Sequence, residues 1–422
     1  MTLNKQDNIY YRLGLAVIVI ASFALYLIHS AENGFSVAYY DDSGSFFIAS
    51  DVILRGEIDF LRTPLYPLIC HFAAWLSAPH ALRIISIMQE AVFLCSIVAI
   101  YFAITTLKIS RRTALIITAA YALCPILYLY SNLIFSESLS ISFVSFLLCT
   151  LAKTLFGKHK LSMGIATILL MFIMIMLKPF FVCFTPGVAI VLGYSLYRNW
   201  QNRRFVYSLS VTAALATSAI AGYYYVYYKT YGKLAMSCVY ELNRDVAMYD
   251  YGMIKYAEGI NYYIYTSPTD RNGNVLTITE AWKWQPTDEF RTKCDKTYDE
   301  NKTRYIKNKI LDFHKSFYLS YASAKFNIPC LYYTTRLFKI LFHQIYLFVI
   351  VFALLEAYVA IRQRKNIIFS FVAASFVAAT IFTSIWGAYG DYTRLMIPMM
   401  PCLYVMLAIF ISRFNFSLSS RA

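Results

Sequence analysis

Ten times along this chain a run of about 20 predominantly apolar residues recurs, the length that carries an α-helix across the hydrocarbon core of a bilayer. The runs lie at Leu13–Ile28, 84–107, 113–130, 138–156, 161–177, 180–197, 205–226, 338–361, 367–386 and 396–412. Backbone groups inside lipid must bond within their own segment, so such runs fold as helices or not at all. A barrel would show apolar residues at every second position, whereas these runs are continuous. Composition agrees: 59% of residues are hydrophobic and only 14% charged, too few polar groups to clothe a water-soluble surface at 422 residues.

The formal charge of +15 raises nucleic acid as a partner, but the cations sit in short clusters beside apolar runs, not on one basic face. Lys108, Arg111 and Arg112; Lys153, Lys158 and Lys160; Arg198, Arg203 and Arg204; Arg362, Arg364 and Lys365; and Arg413 occupy alternate loops. The positive-inside rule assigns these loops to the cytoplasm and the others to the outer side. The outer loops carry Asp41, Asp42, Glu137, Lys178, Asp391 and Arg394, so the candidate chemical groups share one face.

The expected fold is therefore an all-α integral membrane protein of about ten transmembrane helices, with a juxtamembrane helical first outer loop and a long external insert. Residues 1–228 form the N-terminal transmembrane catalytic module, with the first outer loop at 31–64; 229–337 are the insert; 338–422 are the C-terminal transmembrane helices. The first run follows Lys5 and Arg12 but is long for a signal-peptide core, and Ser30-Ala31-Glu32 is a poor cleavage site, so it reads as an uncleaved helix. The insert shows turn chemistry from Pro268 to Gly273 and a helix expected from Thr303 to Phe326, with an apolar stripe at Ile306, Ile310, Phe313, Phe317 and Tyr321. That helix suits either an anionic lipid surface or packing against the protein's own loops. Nine cysteines form no CxxC pair; six lie in apolar runs as small buried hydrophobes, and Cys238, Cys294 and Cys330 leave at most one disulfide open. The six histidines have no ligand spacing.

The first outer loop carries the densest pattern of chemical groups: Asp41-Asp42-Ser43-Gly44-Ser45-Phe46, then Asp51 and Gly56, then Arg62-Thr63-Pro64-Leu65-Tyr66-Pro67. A carboxylate at the membrane surface can take the proton of an attacking hydroxyl, and fixed cations there can stabilise the charge on a departing lipid phosphate. Structural readings stand beside these. Asp42 or Ser43 would cap the following helix, worth about 1 kcal/mol. Thr63-Pro64 reads as an N-cap with proline at the first helical position. Arg62 and Arg83 would snorkel to headgroups, and Glu137 would oppose a helix dipole. Lys178 and Arg394 lie at outer span ends, against the charge rule, which points to an anionic partner.

This loop resembles the C-type (GT-C) membrane glycosyltransferase superfamily, in particular its bacterial polyprenyl-phosphate-sugar-dependent members. The shared features are an Asp-Ser pair at Asp42-Ser43, glycine at Gly56, and an Arg-x-Pro-x-Tyr-Pro run at Arg62 to Pro67. Phe46 stands where the family more often has tyrosine, and Leu65 where it often has glycine. Ser136-Glu137-Ser138-Leu139, Leu177-Lys178-Pro179 and Asp391-Tyr392-Thr393-Arg394 fit the same pattern, with Lys178 in place of arginine. The insert matches nothing in the family.

The resemblance implies an inverting glycosyltransferase of the bacterial cell inner membrane, multi-pass, with its active site facing the periplasm. Its donor would be a sugar on polyprenyl phosphate, and its acceptor a glycan, lipid or protein; membrane lipids are further partners and nucleic acid is not. Asp42 is the expected base, with Asp41 beside it. Arg62, Tyr66, Glu137, Lys178, Asp391 and Arg394 are the expected substrate-binding residues. The sequence assigns no cofactor with certainty; a divalent cation, Mg²⁺ or Mn²⁺, is compatible with the neighbouring carboxylates, and the metal requirement stays open. Two rivals are weighed beside this reading. An O-antigen ligase or polymerase would handle a lipid diphosphate through arginines. A lipid or sugar transporter (flippase) would place ionisable or broken-helix sites near the midplane.

Overall fold

The computed structural model describes residues 5–254 apart from 33, 36 and 38–40, then 260–269, 275–284, 286–312, scattered positions between 329 and 361, 366–387 and 392–419. The apolar runs become helices in the expected order. They are α1 (Lys5–Glu32), the short α2 (Asp41–Leu54) and α3 (Leu65–Leu76), α4 (Ala81–Thr106), α5 (Arg111–Ala122), α6 (Pro125–Leu129), α7 (Ser136–Phe156), α8 (Lys160–Leu177), α9 (Thr185–Arg198) and α10 (Arg203–Tyr231). Ile367–Gly387 and Met400–Ser419 follow the insert. Among the described residues eight helices are long and apolar enough to cross a membrane, and α5 with the segment Pro125–Asn132 makes a ninth, bent by 45°. The expected run 338–361 lies largely outside the described residues. The chain is a multi-pass integral membrane protein.

The span expected at 113–130 is thus present with a bend. Pro125 cannot donate a backbone N–H and drives the preceding residue out of the helical region, and Cys124 adopts φ −68°, ψ 113°. Ser22 Oγ of α1 donates to the carbonyl of Ala122 at this break, 3.0 Å away, so a neighbouring helix satisfies one of the freed groups.

α7 is the central helix. It packs on α4 and α8, and its buried serines let neighbouring backbones approach. Tyr121 of α5 links Ser96 of α4 (2.9 Å) and Ser145 of α7 (3.0 Å) through its hydroxyl. α8 meets α10 at Gly164, where an added Cβ would lie 2.9 Å from Leu209 Cδ1, so a side chain there would require Leu209 to shift. α10 ends in a left-handed cap at Gly232 (φ 70°), a backbone state that favours glycine.

The expected helix of the loop 31–64 is present as α2, and it packs on α3, which begins just beyond that loop. The start of α3 differs in detail from the expected cap. The helix begins at Leu65, and Thr63 Oγ1 donates to the carbonyl of Leu177, 3.1 Å away, at the end of α8.

The insert adds to the all-helical plan one antiparallel hairpin, β1 (Ile260–Thr269) and β2 (Val275–Trp284), paired Ile260 to Trp284 and Tyr263 to Ala281, with register shifts farther along. It lies against α2 and α3. Of the expected turn, 270–274 fall outside the described residues and Pro268 belongs to β1. Two helices complete this part, α11 (Val239–Asp250) and α12 (Asp288–Leu311).

α12 starts well before the expected Thr303. Thr287 caps it by accepting from the N–H of Phe290 (3.2 Å), and Asp288 and Glu289 favourably oppose the positive dipole end. Its first half carries only a narrow apolar stripe, Phe290, Cys294 and Tyr298, among charged residues, which hid it from a search for a broad apolar face. The stripe is also corrected: Tyr305 and Lys309 are buried while Ile310 and Leu311 are exposed. Residues 313–326 of the expected helix are outside the described ones. All nine cysteines are free, with Cys238 and Cys294 in separate apolar clusters.

Candidate active site

Glu137 is the second residue of α7, 2% exposed, and its Oε1 receives two cations. Lys178 Nζ donates to it at 2.7 Å, and Arg394 Nε lies 3.1 Å away. The local sequence explains each arrival. Phe135 is extended (φ −142°, ψ 147°) and starts α7, so Glu137 sits in the first turn, where the helix dipole favours an anion. Pro179 keeps Lys178 out of the helical region (φ −156°, ψ 116°), so the lysine projects from the break between α8 and the next span. Arg394 lies in the helical turn Tyr392–Met396, at the head of the last span. Aromatic faces support both cations: the Arg394 guanidinium is 4.6 Å from the Phe135 ring centre and Lys178 Nζ is 5.7 Å from that of Phe180.

The first loop is stitched to both sides of this pair. Ser43 Oγ donates to the carbonyl of Ile134 (3.2 Å), three residues before Glu137, and Thr63 bonds Leu177, one residue before Lys178. The N-terminus of α2, which bears Asp41 and Asp42, is thereby held at the end of the bundle that carries the Glu137 cluster. The side chains of Asp41 and Asp42, and the whole of Asp391, lie outside the described residues.

Arg62 is aimed by its own turn. The Asp59 carboxylate accepts from the backbone N–H groups of Leu61 (2.9 Å) and Arg62 (2.7 Å), and the Arg62 Nε donates to Ser45 Oγ on α2 (2.8 Å). Its guanidinium lies 4.5 Å from the Phe46 ring centre. α10 and the insert fix the same turn. Tyr227 of α10 donates to the carbonyl of Phe60 (2.8 Å), Ser237 to that of Leu61 (2.6 Å), and the N–H of Cys238 also to that of Phe60 (3.0 Å).

Tyr66 is placed differently from these. It is fully buried, its hydroxyl donates to Gln89 Oε1 (2.8 Å), and Gln89 Nε2 donates in turn to the carbonyls of Ser131 (3.0 Å) and Leu133 (2.8 Å). Arg83 stands apart, 5.3 Å from the Phe35 ring centre. Glu90 of α4 is a candidate the sequence reading missed: it is 1% exposed inside a membrane span. The adjacent polar pair Gln89-Glu90 in an otherwise apolar run was the available signal. Among the described residues no three His, Cys, Asp or Glu side chains gather to hold a metal.

Fold and site together define a polytopic membrane protein whose helix ends converge on one buried carboxylate shared by two cations, beside a juxtamembrane helix that opens with two aspartates. No protein family profile matches the chain, and no curated protein does. Two crystal structures of the Archaeoglobus fulgidus oligosaccharyltransferase are similar at 10% identity. One is tethered through a disulfide to an acceptor peptide containing the NVT sequon (TM-score 0.45, covering 94% of this chain and 49% of that one). The other is the apo form (TM-score 0.46, 95% and 50%). The chain thus spans about half the length of these proteins.

Proposed function

We propose that this chain is an inverting GT-C-type glycosyltransferase that moves a sugar from a polyprenyl-phosphate donor to a glycan, lipid or protein acceptor on the periplasmic side of a bacterial inner membrane. The observation that carries the reading is the gathering of Lys178 and Arg394 on Glu137 at the bundle end where α2 opens with Asp41-Asp42.

The chemistry follows from the charges. An acceptor hydroxyl attacks the anomeric carbon from the face opposite the lipid phosphate, the bond from that carbon to the phosphate oxygen breaks, and the anomeric centre inverts. The Asp42 carboxylate takes the hydroxyl proton, and the departing polyprenyl phosphate keeps the electron pair. Lys178 and Arg394 stabilise its negative charge, with Arg62 on the neighbouring turn as the third cation. Glu137 is unsuited to act as the base, because one of its oxygens already holds both cations; its task is to keep two like charges at one place before the donor arrives. A divalent ion beside Asp42 would supply further charge stabilisation. Purified protein given a radiolabelled polyprenyl-phosphate sugar and a candidate acceptor should form labelled product, and none in the absence of acceptor.

A second reading, a lipid or sugar transporter, is favoured by Glu90 inside α4 and by the 45° break after α5. Proteoliposomes separate the two. A transporter moves the lipid-linked sugar between leaflets without covalent product, whereas the transferase makes product without changing its leaflet distribution.

A further inference from the structure

Between Glu137 and Glu241 the sequence contains no Asp or Glu, while Lys158, Lys160, Arg198, Arg203 and Arg204 fall in the two turns of that stretch that lie away from the Glu137 cluster. Those turns, α7 to α8 and α9 to α10, meet around a cavity of about 460 Å³, within the range of small-molecule sites. Lys158, His159, Lys160 and Asn199 line its polar side, with Ile165 and Phe205 on its apolar side. Among the described residues none of the ion pairs engages Lys158, Lys160, Arg203 or Arg204.

Two observations fix the level of this cavity in the bilayer. α8 rises from it through 18 residues to Lys178, roughly 27 Å at the helical rise, so the cavity lies at the opposite end of the bundle from the Glu137 cluster. Three large aromatic side chains around the α9–α10 turn are largely exposed, Tyr197 at 78%, Trp200 at 71% and Tyr207 at 73%, as expected at a headgroup layer.

We infer that this cavity binds the phosphate of an anionic lipid headgroup. Unneutralised lysines supply the charge. The second N–H of Asn199, whose Nδ2 also donates to the Ser195 carbonyl (2.7 Å), supplies a hydrogen-bond donor, and Ile165 and Phe205 the apolar contact for the glycerol and upper acyl carbons. A free phosphate ion shares the charge chemistry but has no use for the apolar side, which is why the lipid is the occupant chosen. The positive-inside rule alone would put lysines in this loop, but it calls for no cavity and no apolar wall.

The full chain, purified in neutral detergent, is tested by thermal unfolding in micelles doped with phosphatidylglycerol, with phosphatidylcholine, or with added sodium phosphate. Phosphatidylglycerol should raise the midpoint by several degrees, while phosphatidylcholine and phosphate leave it in place. Lys158→Gln with Lys160→Gln should lose at least half of that rise while unfolding like wild type in phosphatidylcholine. Lys108→Gln with Arg112→Gln, basic positions at the same end but outside the cavity, should keep it. Native mass spectrometry of Lys158→Gln alone, counting bound phosphatidylglycerol, gives a readout that does not depend on the double variant folding: fewer retained lipids than wild type are expected. An undiminished rise in the cavity variant, an equal loss in both pairs, or unchanged lipid retention overturns the inference. So does a rise produced by sodium phosphate alone, which would make the ligand the free ion.

Discussion

Lys178 Nζ and Glu137 Oε1 lie 2.7 Å apart, joining the break after α8 to the first turn of α7. The carboxylate is almost wholly buried, and Arg394 shares the same oxygen. Removing the anion leaves two like charges facing each other out of water, which costs several times what an exposed pair is worth. Glu137→Gln should therefore destabilise the protein by about 3 kcal/mol. Adding Lys178→Gln to it should recover part of the loss, because only one cation then remains. Thermal unfolding of both single variants and of the double variant checks this, and a double variant that loses the full sum of the two single losses would show that the two residues are not coupled.

The donor site is tested by Arg394→Ala and Lys178→Ala. Each removes charge stabilisation from a lipid phosphate, so each should slow transfer by roughly two to three orders of magnitude, the scale of one lost transition-state charge contact. Arg394 matches the family pattern more closely and should matter more. Wild-type donor affinity and transfer rate in both variants would leave them as structural partners of Glu137.

Orientation is tested by cysteine labelling, with exposed Cys95, Cys183 and Cys330 replaced. Ser45 is a poor reporter, since it is buried against Arg62. Glu57→Cys, exposed after α2, should react with an impermeant reagent in intact cells whose outer membrane admits it, and Arg204→Cys only after lysis. The reverse pattern would overturn the positive-inside assignment.

Lys309 gives the insert a pH signature. Burial lowers its ammonium to about 8, below the ordinary lysine value of 10.5, with Asp312 opposing the shift. A base whose pKa is lowered on folding binds fewer protons in the native state between these two values, so stability rises with pH from about 8 upward and the contribution is absent below. Lys309→Met, which keeps the stem and removes the charge, should abolish that rise. Unfolding midpoints of both proteins at pH 7.5 and 9.5 measure it; parallel slopes would contradict the assignment.

Much of this architecture could be read before any coordinates, because an apolar run of spanning length has one solution in lipid. That Glu137, Lys178 and Arg394 share one end of the bundle could be read by the same logic, from the alternation of basic loops. Their meeting could not. Glu137 and Lys178 are 41 residues apart, Thr63 and Leu177 114 apart, and nothing local encodes such contacts. Tyr66 shows the opposite limit: its motif position was plain, but only packing reveals that its hydroxyl is spent on Gln89. The hairpin escaped because its stability comes from pairing, and the first half of α12 because its narrow stripe of Phe290, Cys294 and Tyr298 is set among charged residues.

The central claim rests on Asp42, in the first turn of α2 and one residue before the serine that ties α2 to Ile134. Asp42→Asn keeps the shape and much of the capping capacity but cannot take the acceptor's proton. With purified protein, lipid-linked donor and acceptor, the variant should elute as a monodisperse species and lose nearly all sugar transfer, while Asp41→Asn is milder. A well-folded Asp42→Asn that transfers sugar at the wild-type rate would contradict the account and return the aspartate to the role of a helix cap.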